Sequence, residues 1–212
     1  MKRKVDFGAM THACYAPLPR SFYARDPVAV ARDLIHKQVV RRTREGITRG
    51  RIVEVEAYLG QSDSAAHSYR GKTPRNLVMF GPPGKLYVYS IHARYCMNAV
   101  TGTEGVPTAV LIRAVEPLQG LQLMRSRRHE PAHLDLARGP ARLCEAFSVN
   151  RKLNGWDLTG GRKIWFCDAT NDGPEFSVAA SPRIGVTSAK DLELRFFVDG
   201  SRFVSGPRRF HS

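Results

Sequence analysis

Arg51-Ile52-Val53-Glu54-Val55-Glu56-Ala57-Tyr58-Leu59-Gly60 reads as a β-strand that stops at a turn glycine. Its β-branched and aromatic residues suit a pleated surface. Side chains alternate faces along a strand, so Val53, Val55 and Ala57 should point one way. Ile52, Glu54, Glu56 and Tyr58 should point the other. Two carboxylates and an aromatic ring then share a face just before the chain turns. That face is either the solvated side of an antiparallel sheet or a carboxylate beside a stacking ring at the lip of a pocket. Spacing alone leaves both readings open.

Working outward, residues 38–43 form a second strand, joined to 47–58 by Arg44-Glu45-Gly46 as a hairpin turn. Upstream, Asp26-Pro27 offers an N-cap and a proline at the first helical position. Val28, Ala31, Leu34 and Ile35 follow at helical spacing. Residues 1–21 lack periodicity and read as a flexible basic arm. Downstream, residues 60–84 form a polar loop with Thr73-Pro74-Arg75-Asn76 and Gly81-Pro82-Pro83-Gly84, a length that is usually either functional or disordered. Strands follow at 85–91 and 109–115, then a helix from Glu116-Pro117 to about Arg127 and an exposed basic loop over 125–133. A helix opens at Gly139-Pro140 and runs through Phe147. Short strands are expected at 163–166, 183–186 and 194–198. Strands and helices that mix without regular alternation indicate an α+β single domain, a curved, largely antiparallel sheet with flanking helices.

Composition narrows the partners. Lysine and arginine number 33 against 19 acidic residues, a formal charge of +14. Such an excess favours polyanions, nucleic acid first. The four cysteines form no C-x-x-C pair, so neither a zinc site nor a disulfide framework is expected. Met1-Lys2-Arg3-Lys4 is followed by no apolar signal core. No apolar run approaches the roughly 20 residues that span a bilayer. These features lead us to expect a soluble, intracellular protein without membrane contact.

The strand motif Gly50 to Gly60 and the following Ala65-Ala66-His67-Ser68 resemble the alkyladenine (3-methyladenine, methylpurine) DNA glycosylases. The resemblance continues in Thr73-Pro74-Arg75-Asn76, Met79-Phe80, Leu86-Tyr87-Val88-Tyr89 and Cys96-Met97-Asn98. It runs on through Leu111-Ile112-Arg113-Ala114-Val115-Glu116-Pro117, Gly139-Pro140-Ala141-Arg142-Leu143-Cys144, Arg183-Ile184-Gly185-Val186 and Leu194-Arg195-Phe196-Phe197-Val198. Each motif alone is weak; their common order over residues 22–205 is specific. It leaves 206–212 as a tail. The resemblance implies the alkyladenine glycosylase fold, similar to the open-barrel domain at formyltransferase C-termini. It also implies a monofunctional hydrolase of base-excision repair that flips a 3-methyladenine-type purine from the duplex and cleaves its bond to deoxyribose. Deaminated purines are a further candidate substrate class.

By resemblance, Glu56 activates the attacking water and Arg113 holds that water and a nearby phosphate. The carbonyl of Val198 joins them. Tyr58, His67 and Tyr89 enclose the flipped base, and Asn98 crowds the amino group of normal guanine. The intercalating wedge departs from the pattern. Relatives commonly carry a tyrosine followed by Gly and Met, whereas Ser90-Ile91-His92-Ala93-Arg94-Tyr95 stands here, one residue shorter before Cys96. His92 takes the wedge position if the gap lies after it, and Tyr95 competes. Lys72, Arg75, Arg94 and the residues 125–128 are candidate phosphate contacts. A water nucleophile needs no metal or organic cofactor, so none is expected. The expected partner is double-stranded DNA with damaged purines, met by a monomer in a bacterial cytoplasm at the nucleoid, or in a nucleus if the source is eukaryotic. The alternative is a non-catalytic DNA- or RNA-binding module on the same fold, which leaves Glu56 without a task. A zinc base deaminase would need H-x-E and P-C-x-x-C, and neither occurs.

Overall fold

The structure is a computed structural model that describes residues 15–169 and 176–206. Its centre is β2 (Ile47–Tyr58), with β1 (Gln38–Arg42) turned back on it as the expected hairpin. The eight strands among the described residues are completed by β3 (Leu86–Ile91), β4 (Arg94–Thr101), β5 (Thr108–Gln119), β6 (Ile164–Cys167), β7 (Val178–Ser181) and β8 (Arg195–Val198). They run in the order β3-β4-β5-β2-β1-β6, and every pair is antiparallel. The sheet forks at β2. Its first half pairs with β1 and its second half with β8, which carries β7 in turn. The architecture is the expected single-domain α+β one.

Among the described residues, four short α-helices flank the sheet: α1 (Arg20–Tyr23), α2 (Pro27–Leu34), α3 (Leu121–Arg127) and α4 (Pro140–Ala146). Asp26 caps α2 by accepting from the N–H groups of Val28 and Ala29, an arrangement worth about 1 kcal/mol. Val30, Ala31 and Leu34 of α2 and Leu143, Cys144 and Ala146 of α4 are buried in the main core. The second apolar cluster includes Met79, Tyr87, Tyr89, Cys96, Ala109 and Leu111, with Tyr58 and Phe80 packed against it. Strand residues alternate between the two clusters, so the sheet has one structural face and one that builds a cavity.

Five expectations change. Ile52 does not share the carboxylate face. The β2–β5 register slips at Val53, and Ile52 joins Val55 and Ala57 in the main core. The helix does not begin at Glu116-Pro117: β5 runs through them to Gln119, with Pro117 opposite Gly50 beside a register shift. Irregular pairing is where a strand tolerates proline. Gly50 permits the close crossing, because a Cβ there would lie 2.6 Å from Val115 Cγ2. A whole strand, β4, lies where none was expected. Residues 183–186 are not a strand but a segment that packs over the carboxylates, and the nearby strand is β7. Finally, residues 15–21 of the expected arm are packed: Leu18 is buried and donates its N–H to Phe166, and Trp165 donates to the Tyr15 carbonyl. Residues 1–14 of that arm and 207–212 of the tail lie outside the described residues.

Candidate active site

The slip in register that displaces Ile52 also aims the charges. Ile52 faces Val115, Glu54 faces Ala114 and Val55 faces Ile112, which leaves Val53 and Arg113 unpaired on their strands. Bulges re-aim side chains in this way and are frequent beside active sites. Arg113 donates Nε to Glu54 Oε1 at 3.0 Å and Nη1 to Glu56 Oε1 at 2.9 Å. Arg195, opposite Glu56 on β8, donates Nε to the same Glu54 oxygen at 2.7 Å. The Ser205 N–H closes on Glu54 Oε2 at 2.7 Å. Glu56 accepts the Tyr58 hydroxyl on Oε2 at 2.9 Å and the Ile184 N–H on Oε1 at 2.8 Å.

Glu54, Glu56 and Arg195 are fully buried. Two carboxylates and two guanidiniums therefore share one desolvated site, which is sustainable only because each ion is paired and hydrogen-bonded. Burial disfavours the Arg113 cation, but Glu56 and Glu54 more than reverse this and hold it charged. Sequence reasoning places Glu56 and Arg113 together and misses Arg195 and Ser205. It names the Val198 carbonyl as a contact of the water; the backbone group that reaches Glu56 itself is the Ile184 N–H, which it does not name. Val198 pairs with Val178, three residues beyond the one opposite Glu56.

A cavity of about 190 Å³ lies next to this cluster, lined by Tyr58, His67, Tyr89 and Asn98 together with Met79 and the 185–188 segment. That is below the roughly 300–1,000 Å³ of drug-sized pockets and suits a single small ring system. His67 meets Tyr89 edge-on, with centroids 4.3 Å apart, and its Nδ1 lies 3.1 Å from the Tyr87 hydroxyl. Tyr87 and Tyr89 stack at 5.5 Å. Asn98 Nδ2 donates to the Tyr87 carbonyl at 3.2 Å, so Tyr87, unassigned from sequence, positions two of the cavity residues. Burial, and then Arg75, hold the His67 imidazole below its ordinary value, so it is neutral at pH 7. Burial also raises Tyr58 and Tyr89, and lifts Tyr87 to about 12. Glu56 does not line the cavity. The Tyr58 hydroxyl joins the two.

A buried clasp fixes the segment over Glu56. Arg183 pairs with Asp63, Nη2 to Oδ1 at 2.8 Å, and donates Nη1 to the Ala57 carbonyl at 3.1 Å. Its guanidinium sits 4.7 Å from the Tyr58 ring centroid. Asp63 also accepts the Leu59 and Ala65 N–H groups. Burial raises its carboxyl, but Arg183 and those two N–H groups outweigh burial and leave it below the usual range. An acid in the loop before His67 is the only local cue to this pair.

At the cavity rim, Ile91 faces Arg94 across a two-residue turn made by His92 and Ala93, with φ of 47° and 61°. Such turns normally take Asn-Gly. Ile91, His92 and Ala93 are all exposed, and Ile91 lines the cavity. Tyr95, the competing wedge, is half-buried and packs against the main core. Of the other expected phosphate contacts, Arg127 and Arg128 are engaged with Glu45 and Glu145, and Arg75 donates to the Ser90 carbonyl.

The family model described as methylpurine-DNA glycosylase (MPG) matches residues 21–202. The chain belongs to this family. All eight strands and the Glu54, Glu56, Arg113, Arg195 cluster lie within the methylpurine-DNA glycosylase match. A protein of Methanoculleus marisnigri named "Putative 3-methyladenine DNA glycosylase" is 50% identical over 192 residues, covering 89% of this chain and 98% of its own. Proteins of the same name from Carboxydothermus hydrogenoformans and Burkholderia lata are 46% and 47% identical, covering 89% and 91% of this chain and 98% and 92% of theirs.

Proposed function

We propose that this member of the methylpurine-DNA glycosylase family is a monofunctional 3-methyladenine DNA glycosylase, a hydrolase of N-glycosyl bonds acting as a monomer in base-excision repair. The observation that carries the reading is one arrangement: a carboxylate braced by an arginine and joined through a tyrosine hydroxyl to an aromatic cavity sized for one base. A glycosidic bond inside a duplex is hidden, so the nucleotide must be extruded at a cost of about a few kcal/mol. His92, at the exposed hairpin tip, enters the vacated stack as the wedge. The base enters between Tyr58, His67 and Tyr89. A cationic alkylated purine favours π faces, and a neutral His67 adds no repulsion. Asn98 crowds the amino group of guanine.

Glu56 then takes a proton from water as the water oxygen bonds to C1′ and the C1′–N bond breaks. The electron pair leaves with the base, and an alkylated purine, already cationic, departs neutral. Arg113 fixes the carboxylate, and the carboxylates offset positive charge that develops on the sugar. Tyr58 and the Ile184 N–H occupy Glu56 in the structure, so water reaches it as one of them yields. Deaminated purines such as hypoxanthine enter the same slot but leave less readily, because among the described residues no cationic acid lines it to assist. The protein acts where the genome is, at the nucleoid of a bacterial cytoplasm or in a nucleus.

Incubating the protein with methylated duplex DNA in chelator should release 3-methyladenine. Glu56→Gln should slow release at least about 10²–10⁴-fold, the range of general-base assistance, while lesion binding persists. Wild-type rates in that variant would remove Glu56 from the mechanism. Release of hypoxanthine as fast as 3-methyladenine would contradict the cationic-leaving-group account.

A further inference from the structure

The clasp that seats the segment over Glu56 is an ion pair, although seating alone does not require ions. Arg183 and Asp63 are joined by two hydrogen bonds, Nη1 to Oδ2 at 2.5 Å and Nη2 to Oδ1 at 2.8 Å, and neither side chain reaches solvent. Desolvating such a pair is so unfavourable that well-packed uncharged residues often hold a fold as well or better. The Arg183 Nε is moreover buried without a hydrogen-bond partner among the described residues. What the charges do have is a place beside the base cavity. The guanidinium lies over the Tyr58 ring, and Tyr58 lines the cavity whereas Arg183 does not. The cation therefore stands behind the ring whose front faces the cavity. Among the described residues, Asp63 is the one carboxylate paired with it.

A cation behind a π ring opposes a second cation in front of it. With the guanidinium 4.7 Å from the ring centroid and a stacked base in contact at about 3.5–4.0 Å, the two charges lie about 8 Å apart. At that range, in surroundings of effective dielectric about 20, one unit charge changes the affinity for a cation on the order of tenfold. We propose that Asp63 is a specificity determinant of the base cavity: it cancels the charge behind Tyr58, so that the ring can receive a cationic alkylated purine. This deepens the glycosylase reading and rests on it. Arg183 fixes the Tyr58 ring and leads into the 185–188 wall. Asp63 removes the repulsion that an arginine in that position would otherwise exert. The pair acts on the charge of the ligand and not on its shape.

The test uses two duplexes that separate charge from shape. One carries 7-methyladenine, a cation, and the other 7-deaza-7-methyladenine, its neutral isostere, both on 2′-fluoroarabinose, which resists cleavage. Affinities are read by fluorescence anisotropy, and the quantity compared is the ratio that expresses preference for the cation. Asp63→Asn should lower that preference about tenfold, because the Arg183 charge then faces the base unopposed. Arg183→Gln leaves the Asp63 anion unopposed and should raise it. Asp63→Asn/Arg183→Gln, neutral again, should return it to near the wild-type value. A clasp that only seats the segment would weaken both duplexes alike, and an incompletely folded preparation cancels in the ratio. Should Asp63→Asn not fold, the rise in Arg183→Gln decides alone. A preference that a folded single variant leaves unchanged, that both shift in the same direction, or that the double variant fails to restore overturns the proposal. Failure of the wild type to release any purine from methylated DNA overturns the glycosylase reading instead, since the charge preference is read without excision.

Discussion

The two halves of β2 share one strand and similar residues yet do opposite work. From 47 to 51 exposure alternates regularly, and Arg51 pairs with Glu116 at 2.9 Å where solvent reaches both. From 52 to 57 every residue is buried, β8 takes the place of β1 beside the strand, and Glu54 and Glu56 are paired with Arg113 and Arg195. An exposed pair is worth about 0–1 kcal/mol. Removing one member of a buried network strands a charge and costs about 3–5 kcal/mol. Burial, set by the fork in the sheet, separates the halves more than composition does.

That contrast can be broken by substitution. Glu54→Gln should lower stability by about 3–5 kcal/mol in urea denaturation and slow base release, because both guanidiniums lose their shared anchor. A loss under about 1 kcal/mol would place the network in solvent-like surroundings. Asp63→Asn should fall toward the lower end of the same range, since the amide oxygen would keep an acceptor for the loop N–H groups. Its pH signature is separate. A carboxyl held below its ordinary value of about 3.9 contributes stability that is complete above that value and lost as pH falls through the folded one. Asp63→Asn should flatten that acid-side loss, and an unchanged pH–stability curve would discount the clasp. Gly50→Ala, in the first half, should cost about 1–3 kcal/mol by overpacking against Val115 and the Glu116 backbone. Glu116→Gln should change stability by less than about 1 kcal/mol. A larger loss there would erase the distinction between the halves.

Much of this is legible in the chain before any coordinates. The β1–β2 hairpin, the Asp26 cap and the shared face of Glu54, Glu56 and Tyr58 follow from local patterns that the structure keeps, whereas His67 and Tyr89 are reached only through the family resemblance, and the structure places them with Tyr58 around one cavity. The site's deeper supports do not follow, for physical reasons. Strict alternation hides a bulge, and so it puts Ile52 on the wrong face. β4 is buried on both sides over most of its length, which removes the period-two signal. Glu116-Pro117 has the look of a helix start, and only the crossing at Gly50 explains a proline in that strand. Arginine reads as a surface charge for DNA, yet Arg183 and Arg195 are buried counter-ions. Part of the basic excess is internal and out of a polyanion's reach.

The two carboxylates receive their main-chain donors from the far end of the chain, Ile184 on Glu56 and Ser205 on Glu54. During synthesis, then, the acids are made long before the groups that seat them. A nascent or prematurely terminated polypeptide ending before residue 183 would carry Glu54 and Glu56 with neither amide to close on them. The carboxylate cluster is thus closed by the stretch of chain that leaves the ribosome last among its parts.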